Sequence, residues 1–149
     1  SATIQNIVHI INNIAYLTYS ASISPAGSFR ELVLGYFVEN KVSIIPDYSI
    51  RGEASDHSFD FCYQKDFPIV FRAMSTKSPF YAKTLAALFA YSITDIKRAG
   101  IRLNAHPFID DRDEEESIWE GEPKSILRVY SDEIIYWSNK ERALELIAA

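Results

Sequence analysis

Three segments with strand periodicity lie between two segments with helix periodicity, and this order constrains the fold more than any single motif. Val42 to Ile50 is rich in β-branched residues and is interrupted by Pro46, which reads as an edge strand or a bulge. Ser58 to Tyr63 alternates, placing Phe59, Phe61 and Tyr63 on one side and Asp60 and Cys62 on the other. Ile69 to Met74 is the third strand. The turns Arg51–Asp56 and Gln64–Pro68 are short and polar, so the three read as an antiparallel meander. Upstream, Ser28 to about Asn40 reads as a helix, with Ser28 as N-cap, Glu31 completing a capping box, and Leu32, Val33, Tyr36 and Phe37 on one face. Downstream, Phe80 to Arg98 reads as a long helix stopped by Gly100, followed by a strand over 101–109.

The remaining segments complete an α/β (α+β) domain: a mixed sheet flanked by helices around an α-β-β-β-α-β core. Residues 3–19 carry Ile4, Ile7, Val8, Ile11, Ile14 and Ala15 at helical spacing, giving an N-terminal extension over 1–24 before the core at 28–109. An acidic surface loop spans 110–123, pinned by Ile118 and Trp119. Residues 126–129 and 133–137 read as short strands or one kinked strand. Ser138, with Glu141 at the capping-box position, starts a last helix that closes the 124–149 segment.

At 149 residues the chain reads as one domain with a real core. No apolar run approaches the roughly 20 residues that span a bilayer, and the first apolar stretch lacks a signal peptide's basic start, so a cytoplasmic protein is expected. The single Cys62 allows no internal disulfide and no multi-cysteine zinc site. The chain begins at Ser1, not Met, which reads as a processed chain or a fragment of a longer protein.

Net charge is −5, unlike a protein that coats nucleic acid over a broad surface. The charge is uneven. From Arg72 to Arg102 there are six bases (Arg72, Lys77, Lys83, Lys97, Arg98, Arg102) and one acid, Asp95, a local +5; from Leu103 to Glu122 eight acids face only Arg112, a local −7. A basic binding face built on Arg72, Lys77, Lys83, Lys97 and Arg98 is thus expected inside an acidic protein.

Several residues invite chemical readings. Asp60 lies on a strand between two phenylalanines, and a buried carboxylate there needs a partner, for which Arg72 on the next strand is the obvious group. His57 with Asp60, and His106 with Asp110, have ligand-compatible spacing, but two-residue coincidences and three scattered histidines suggest no zinc cluster. Cys62 with His57 suggests a nucleophile and base, yet on a regular strand the two diverge, and a buried inert thiol is the expected outcome. No phosphate-binding glycine loop, nucleophile elbow or zinc-finger spacing occurs, and the aromatic residues read as core.

The α-β-β-β-α-β order over 28–108 resembles the core of the PD-(D/E)XK nuclease superfamily. The resemblance implies a helix acid at Glu31 and a strand acid at Asp60, meeting Mg²⁺ or Mn²⁺ that polarises a phosphate. It departs from the pattern on the third strand, where Arg72 and Met74 stand in place of an acid and a lysine. A second register starts from the literal Pro46-Asp47, with Asp60 thirteen positions after Asp47 and Cys62 at the lysine place. A migrated lysine would be Lys77 or Lys83, and the metal ligands would be Asp47 and Asp60. The stretches "HSFDFCY", "STKSPFYAKTLAALFAYSITDIKRAG" and "YSDEIIYWSNKERALELI" also resemble an uncharacterised C-terminal domain of two-domain proteins in bacteria and mobile elements. Its features map onto Phe59-Asp60-Phe61, Phe89-Ala90-Tyr91 with Asp95, and Trp137-Ser138 with Glu141, and the resemblance implies an N-terminal partner domain missing from this chain.

These readings converge on a catalytically inactive, nuclease-like domain that acts by binding DNA or a protein partner, in a phage, mobile-element or defence setting. No cofactor is expected on that reading. Two alternatives stand beside it: an active Mg²⁺- or Mn²⁺-dependent nuclease using Glu31, Asp47, Asp60 and Lys77 or Lys83, and an oligomerisation module built on the Ile4/Val8/Ile11 stripe.

Overall fold

A computed structural model describes residues 25–112 and 118–149. The helix expected over 3–19, with its Ile4/Val8/Ile11 stripe, lies outside the described residues. Within them the order is α1 (Pro25–Glu39), β1 (Ile45–Arg51), β2 (Asp56–Gln64), β3 (Pro68–Met74), α2 (Pro79–Arg98), β4 (Asn104–Ile109), α3 (Glu122–Tyr130), β5 (Ile135–Tyr136) and α4 (Glu141–Ala148). The strands form one mixed sheet in the order β1-β2-β3-β4-β5. β1, β2 and β3 are antiparallel neighbours, and β4 and β5 continue parallel to β3. The α-β-β-β-α-β core is therefore present, and Pro46 sits on the edge strand β1, where proline is tolerated.

Two apolar clusters sandwich the sheet. One joins Ala82, Ala86, Phe89, Ile93 and Ile96 of α2 and Leu127 of α3 to Phe59, Cys62, Val70, Met74, Ala105 and Ile109. The other joins Phe29, Val33 and Phe37 of α1 and Ala143 and Ile147 of α4 to Phe61, Ile69, Phe71, Phe108 and Ile135. Phe37 is fully buried, with ring centroids of Phe61, Phe71 and Phe108 at 5.8, 5.3 and 6.3 Å. Ile118 and Trp119 are buried; residues 113–117 of the acidic segment lie outside the described residues.

Several local expectations are corrected. α1 starts at Pro25 and runs through Ser28, which is not its cap. Its inward residues are Phe29, Val33 and Phe37, whereas Leu32 is exposed. Residues 122–130 are helical: Pro123 starts the first turn, and Pro123 and Leu127, four apart, form the buried face. The apolar run Ile126-Leu127 and Val129-Tyr130 mimics a strand, but Val129 is 74% exposed. Ser138 lies in the short 3₁₀ segment Trp137–Asn139 and caps no helix; its backbone N–H donates to Asp111 Oδ1 at 2.9 Å and its hydroxyl to Asp111 Oδ2. α2 matches its expected span, with Ser78 accepting from the Tyr81 N–H as N-cap and Gly100 at φ 79° just beyond the end.

β2 does not alternate as expected. Phe59 and Cys62 enter the cluster beneath α2, while Phe61 enters the one beneath α1. The switch of face falls at Asp60. Directly across the β1–β2 register, between the pairs Pro46–Phe61 and Tyr48–Phe59, sits Asp47 at φ 53°. Both strands are thus distorted at the same level, and the candidate site is built there.

Candidate functional site

Past the Phe61–Phe71 pair, β2 and β3 stop exchanging backbone hydrogen bonds. Their unpaired groups need other partners, and two side chains supply them. Asp60 Oδ2 accepts from the Ala73 N–H at 2.7 Å, and Arg72 Nη2 donates to the Ser58 carbonyl at 2.8 Å. Asp60 and Arg72 therefore bridge the same gap, each bonding to the backbone of the other's strand.

The carboxylate's ionic partner comes from α1. Arg30 Nε donates to Asp60 Oδ1 at 3.1 Å, and Arg30 Nη2 donates to Asp47 Oδ1 at 2.8 Å. The guanidinium lies 5.2 Å from the Phe61 ring centroid. Exposure falls from 82% for the Asp47 side chain to 26% for Asp60 and 17% for Arg30, so a fixed cation sits between one solvated and one sheltered carboxylate. Burial pushes the Asp60 carboxyl upward, against the pull of the Ala73 N–H and of the Arg30 and Arg72 guanidinia.

The salt bridge expected between Asp60 and Arg72 is made by Arg30 instead. Arg72 points under α2, 4.6 Å from the Phe59 ring centroid and 5.8 Å from that of Phe89, and donates to Ser92 Oγ at 3.1 Å. Burial pulls its pKa down to about 10, so it stays charged at neutral pH. Largely covered by α2, it does not belong to a surface binding face. Glu31 projects away from Asp60 and is exposed. Met74, at the lysine place, is buried in the cluster beneath α2. Of the other basic candidates, Lys77 precedes α2 and is exposed, Lys83 pairs with Glu122 at 3.2 Å, and Lys97 and Arg98 are exposed in the last turn of α2. Among the described residues, no three His, Cys, Asp or Glu side chains converge as metal ligands would.

A second polar cluster ties the β1–β2 turn to α2. Asp95 is buried, and its carboxylate accepts from the backbone N–H of Ala54 at 2.9 Å, of Ser55 at 3.1 Å, and from His57 Nε2 at 2.7 Å. These hydrogen bonds, His57's first among them, hold the Asp95 pKa below the usual carboxylate range. Gly52 is needed for the approach: a Cβ there would lie 2.3 Å from Asp95 Oδ2. Ser55 Oγ reaches the same His57 nitrogen at 3.4 Å and Tyr91 Oη at 3.1 Å. A Ser-His-Asp relay needs the two ring nitrogens to serve different partners. Here one nitrogen faces both, so the group is a structural clamp. Tyr91 and Asp95, singled out by the resemblance, belong to it.

The remaining candidates are structural as well. His57 and Asp60 reach opposite faces of the sheet. His106 Nδ1 donates to the Glu133 carbonyl at 2.8 Å, and its ring stacks on Phe71; burial keeps its pKa below the ordinary value. Asp110 accepts from Ser75 Oγ at 2.8 Å and Arg112 Nε at 2.8 Å, and these bonds outweigh its burial and keep its carboxyl below the usual range. Cys62 does face the same side as His57, because β2 changes face between them. Five residues of strand still separate the two by roughly 17 Å, and burial pushes the thiol up to about 11.

Sequence reasoning missed Arg30, the Asp95 clamp and the Asp110–Arg112 pair. Arg30 was recoverable from the 29/33/37 stripe of α1, which turns Arg30 toward the sheet's edge and Glu31 away.

No family model matches the chain, and no curated protein matches it. Among solved structures it is similar to a protein of unknown function, AF1548, at 15% identity and a TM-score of 0.47, over 79% of this chain. The chain spans 62% of the length of that neighbour. Among the described residues no helix is long and apolar enough to cross a membrane.

Proposed function

We propose that this domain acts by binding, on a nuclease-like scaffold in which an arginine has taken the place of the catalytic cation. The observation that supports this most directly is Arg30, bonded to Asp60 and Asp47 at once. Two carboxylates facing each other across a distorted strand pair would suit Mg²⁺ or Mn²⁺, which takes oxygen ligands and waters and can activate a water for attack. A guanidinium neutralises the same carboxylates but offers no coordination site and activates no water. The third-strand positions add nothing catalytic, since Arg72 and Met74 turn under α2. What remains for function is surface: the outer side of α2, with Lys77, Lys83, Lys97 and Arg98 exposed. The partner class this suits is anionic.

The test uses plasmid and branched DNA with Mg²⁺ and, separately, Mn²⁺, for the wild type, Asp60→Ala and Arg30→Ala. Thermal midpoints are measured with and without each metal. The expected result for the wild type is no cleavage and no metal-induced shift. Cleavage that disappears in Asp60→Ala overturns the proposal in favour of an active nuclease with Lys77 or Lys83 as the migrated lysine.

A further inference from the structure

The outer face of α2 has an unusual composition. Phe80, Lys83, Tyr91 and Arg98 project within about 80° of one another on a helix of 3.6 residues per turn. Phe80 is 77% exposed and Tyr91 50%, with Tyr81 and Leu88 on the flank at 52% and 53%. In a chain with 20 acids and 15 bases, the only acid in this 20-residue helix is Asp95, and it is buried. The solvent side of α2 therefore carries aromatic rings and cations and no carboxylate of its own. Glu122 of α3 reaches Lys83 at 3.2 Å, but both side chains are more than half exposed, so the pair is weak and a phosphate can displace the carboxylate. The Tyr91 ring is already fixed, its hydroxyl bonded to Ser55 Oγ at 3.1 Å and its edge set against His57 at 5.3 Å.

Resting on the binding reading above, we infer that this face takes single-stranded nucleic acid, with bases stacking on Phe80 and Tyr91 and phosphates running past Lys83, Lys97 and Arg98. Unpaired bases offer π-faces to exposed rings, and a cationic track holds the backbone between them. A duplex keeps its bases stacked inside and would use the lysines and Arg98 while leaving Phe80 idle. The helix is about 30 Å long, which suits the short sites of single-strand binders.

The experiment is fluorescence anisotropy with labelled dT20, a 20-base-pair duplex and a poly-glutamate peptide, titrated with the whole chain at several salt concentrations. Variants are Phe80→Ala and the double change Lys97→Glu/Arg98→Glu, each checked for an unchanged thermal midpoint. The expected result is preference for dT20 over duplex, a loss of about tenfold in Phe80→Ala, and a salt slope shallower by about 1.4 in the double variant. Equal binding of dT20 and duplex, indifferent to Phe80→Ala, overturns the single-strand inference and leaves the binding reading standing. Binding of poly-glutamate alone overturns it in favour of an acidic protein partner. No binding of any probe overturns it outright.

Discussion

Arg30 Nε and Asp60 Oδ1 meet at 3.1 Å, joining α1 to the point where β2 changes face. The contact neutralises a sheltered carboxylate that also holds the Ala73 N–H. Breaking one side of such a pair costs more than removing both, because the survivor is left uncompensated. Arg30→Ala is expected to destabilise the domain by about 2 kcal/mol, below the figure for fully buried pairs because Asp60 keeps some solvent contact. Arg30→Met combined with Asp60→Asn should cost less than the sum of the two single changes. A double-mutant cycle by urea denaturation measures the difference, and strict additivity would show that the pair contributes nothing.

Gly52 is held against the Asp95 carboxylate, which three donors, the N–H groups of Ala54 and Ser55 and His57 Nε2, keep from moving aside. Gly52→Ala should therefore lower stability by about 1–3 kcal/mol, the usual cost of overpacking, even though alanine generally stiffens the unfolded chain in favour of folding. An unchanged urea midpoint would mean that the turn can shift away from α2.

The Asp95 clamp should show in acid. Its folded pKa lies below the ordinary carboxylate value, so the unfolded chain binds the proton first as pH falls. The stability it contributes is complete above that unfolded value and drains away as pH drops through the folded one. Asp95→Asn should lower stability near neutral pH and flatten the dependence below about pH 4. Parallel pH–stability curves for the two proteins would assign the acid sensitivity to other groups.

Cys62, the only cysteine, is buried with its thiol pushed up to about 11. The thiolate is the reactive form, so iodoacetamide at pH 8 should leave the folded protein unmodified and alkylate it fully in urea. Rapid alkylation without denaturant would show that the sheet opens at β2.

Much of this architecture could be read from the chain. The meander, the long helix stopped by Gly100, and the edge position of Pro46 all follow from period, a terminal glycine and the missing proline donor. Three features could not. Residues 126–129 look like a strand because their apolar residues run together, whereas in the structure they belong to a helix packed against α2. The face change at Asp60 is invisible to strict alternation, because it depends on Asp47 adopting a positive φ on the neighbouring strand. The site was read one residue out on α1: Glu31 matched an expected acid, while Arg30, its neighbour, is the residue the helix turns inward. Asp95 stands out in the sequence only as part of a motif, since its partners lie some 40 residues away in the β1–β2 turn.

The two borders of the sheet have a consequence for how copies of this chain meet. On β1, Pro46 has no N–H to offer and Asp47 twists the backbone out of line. On the far side, β5 is two residues long. A foreign strand seeking to extend the sheet finds one border broken and the other too short. Among the described residues the sheet therefore offers no long regular border to a second copy, and the irregularity on β1 is the same one that brings Asp47 to Arg30.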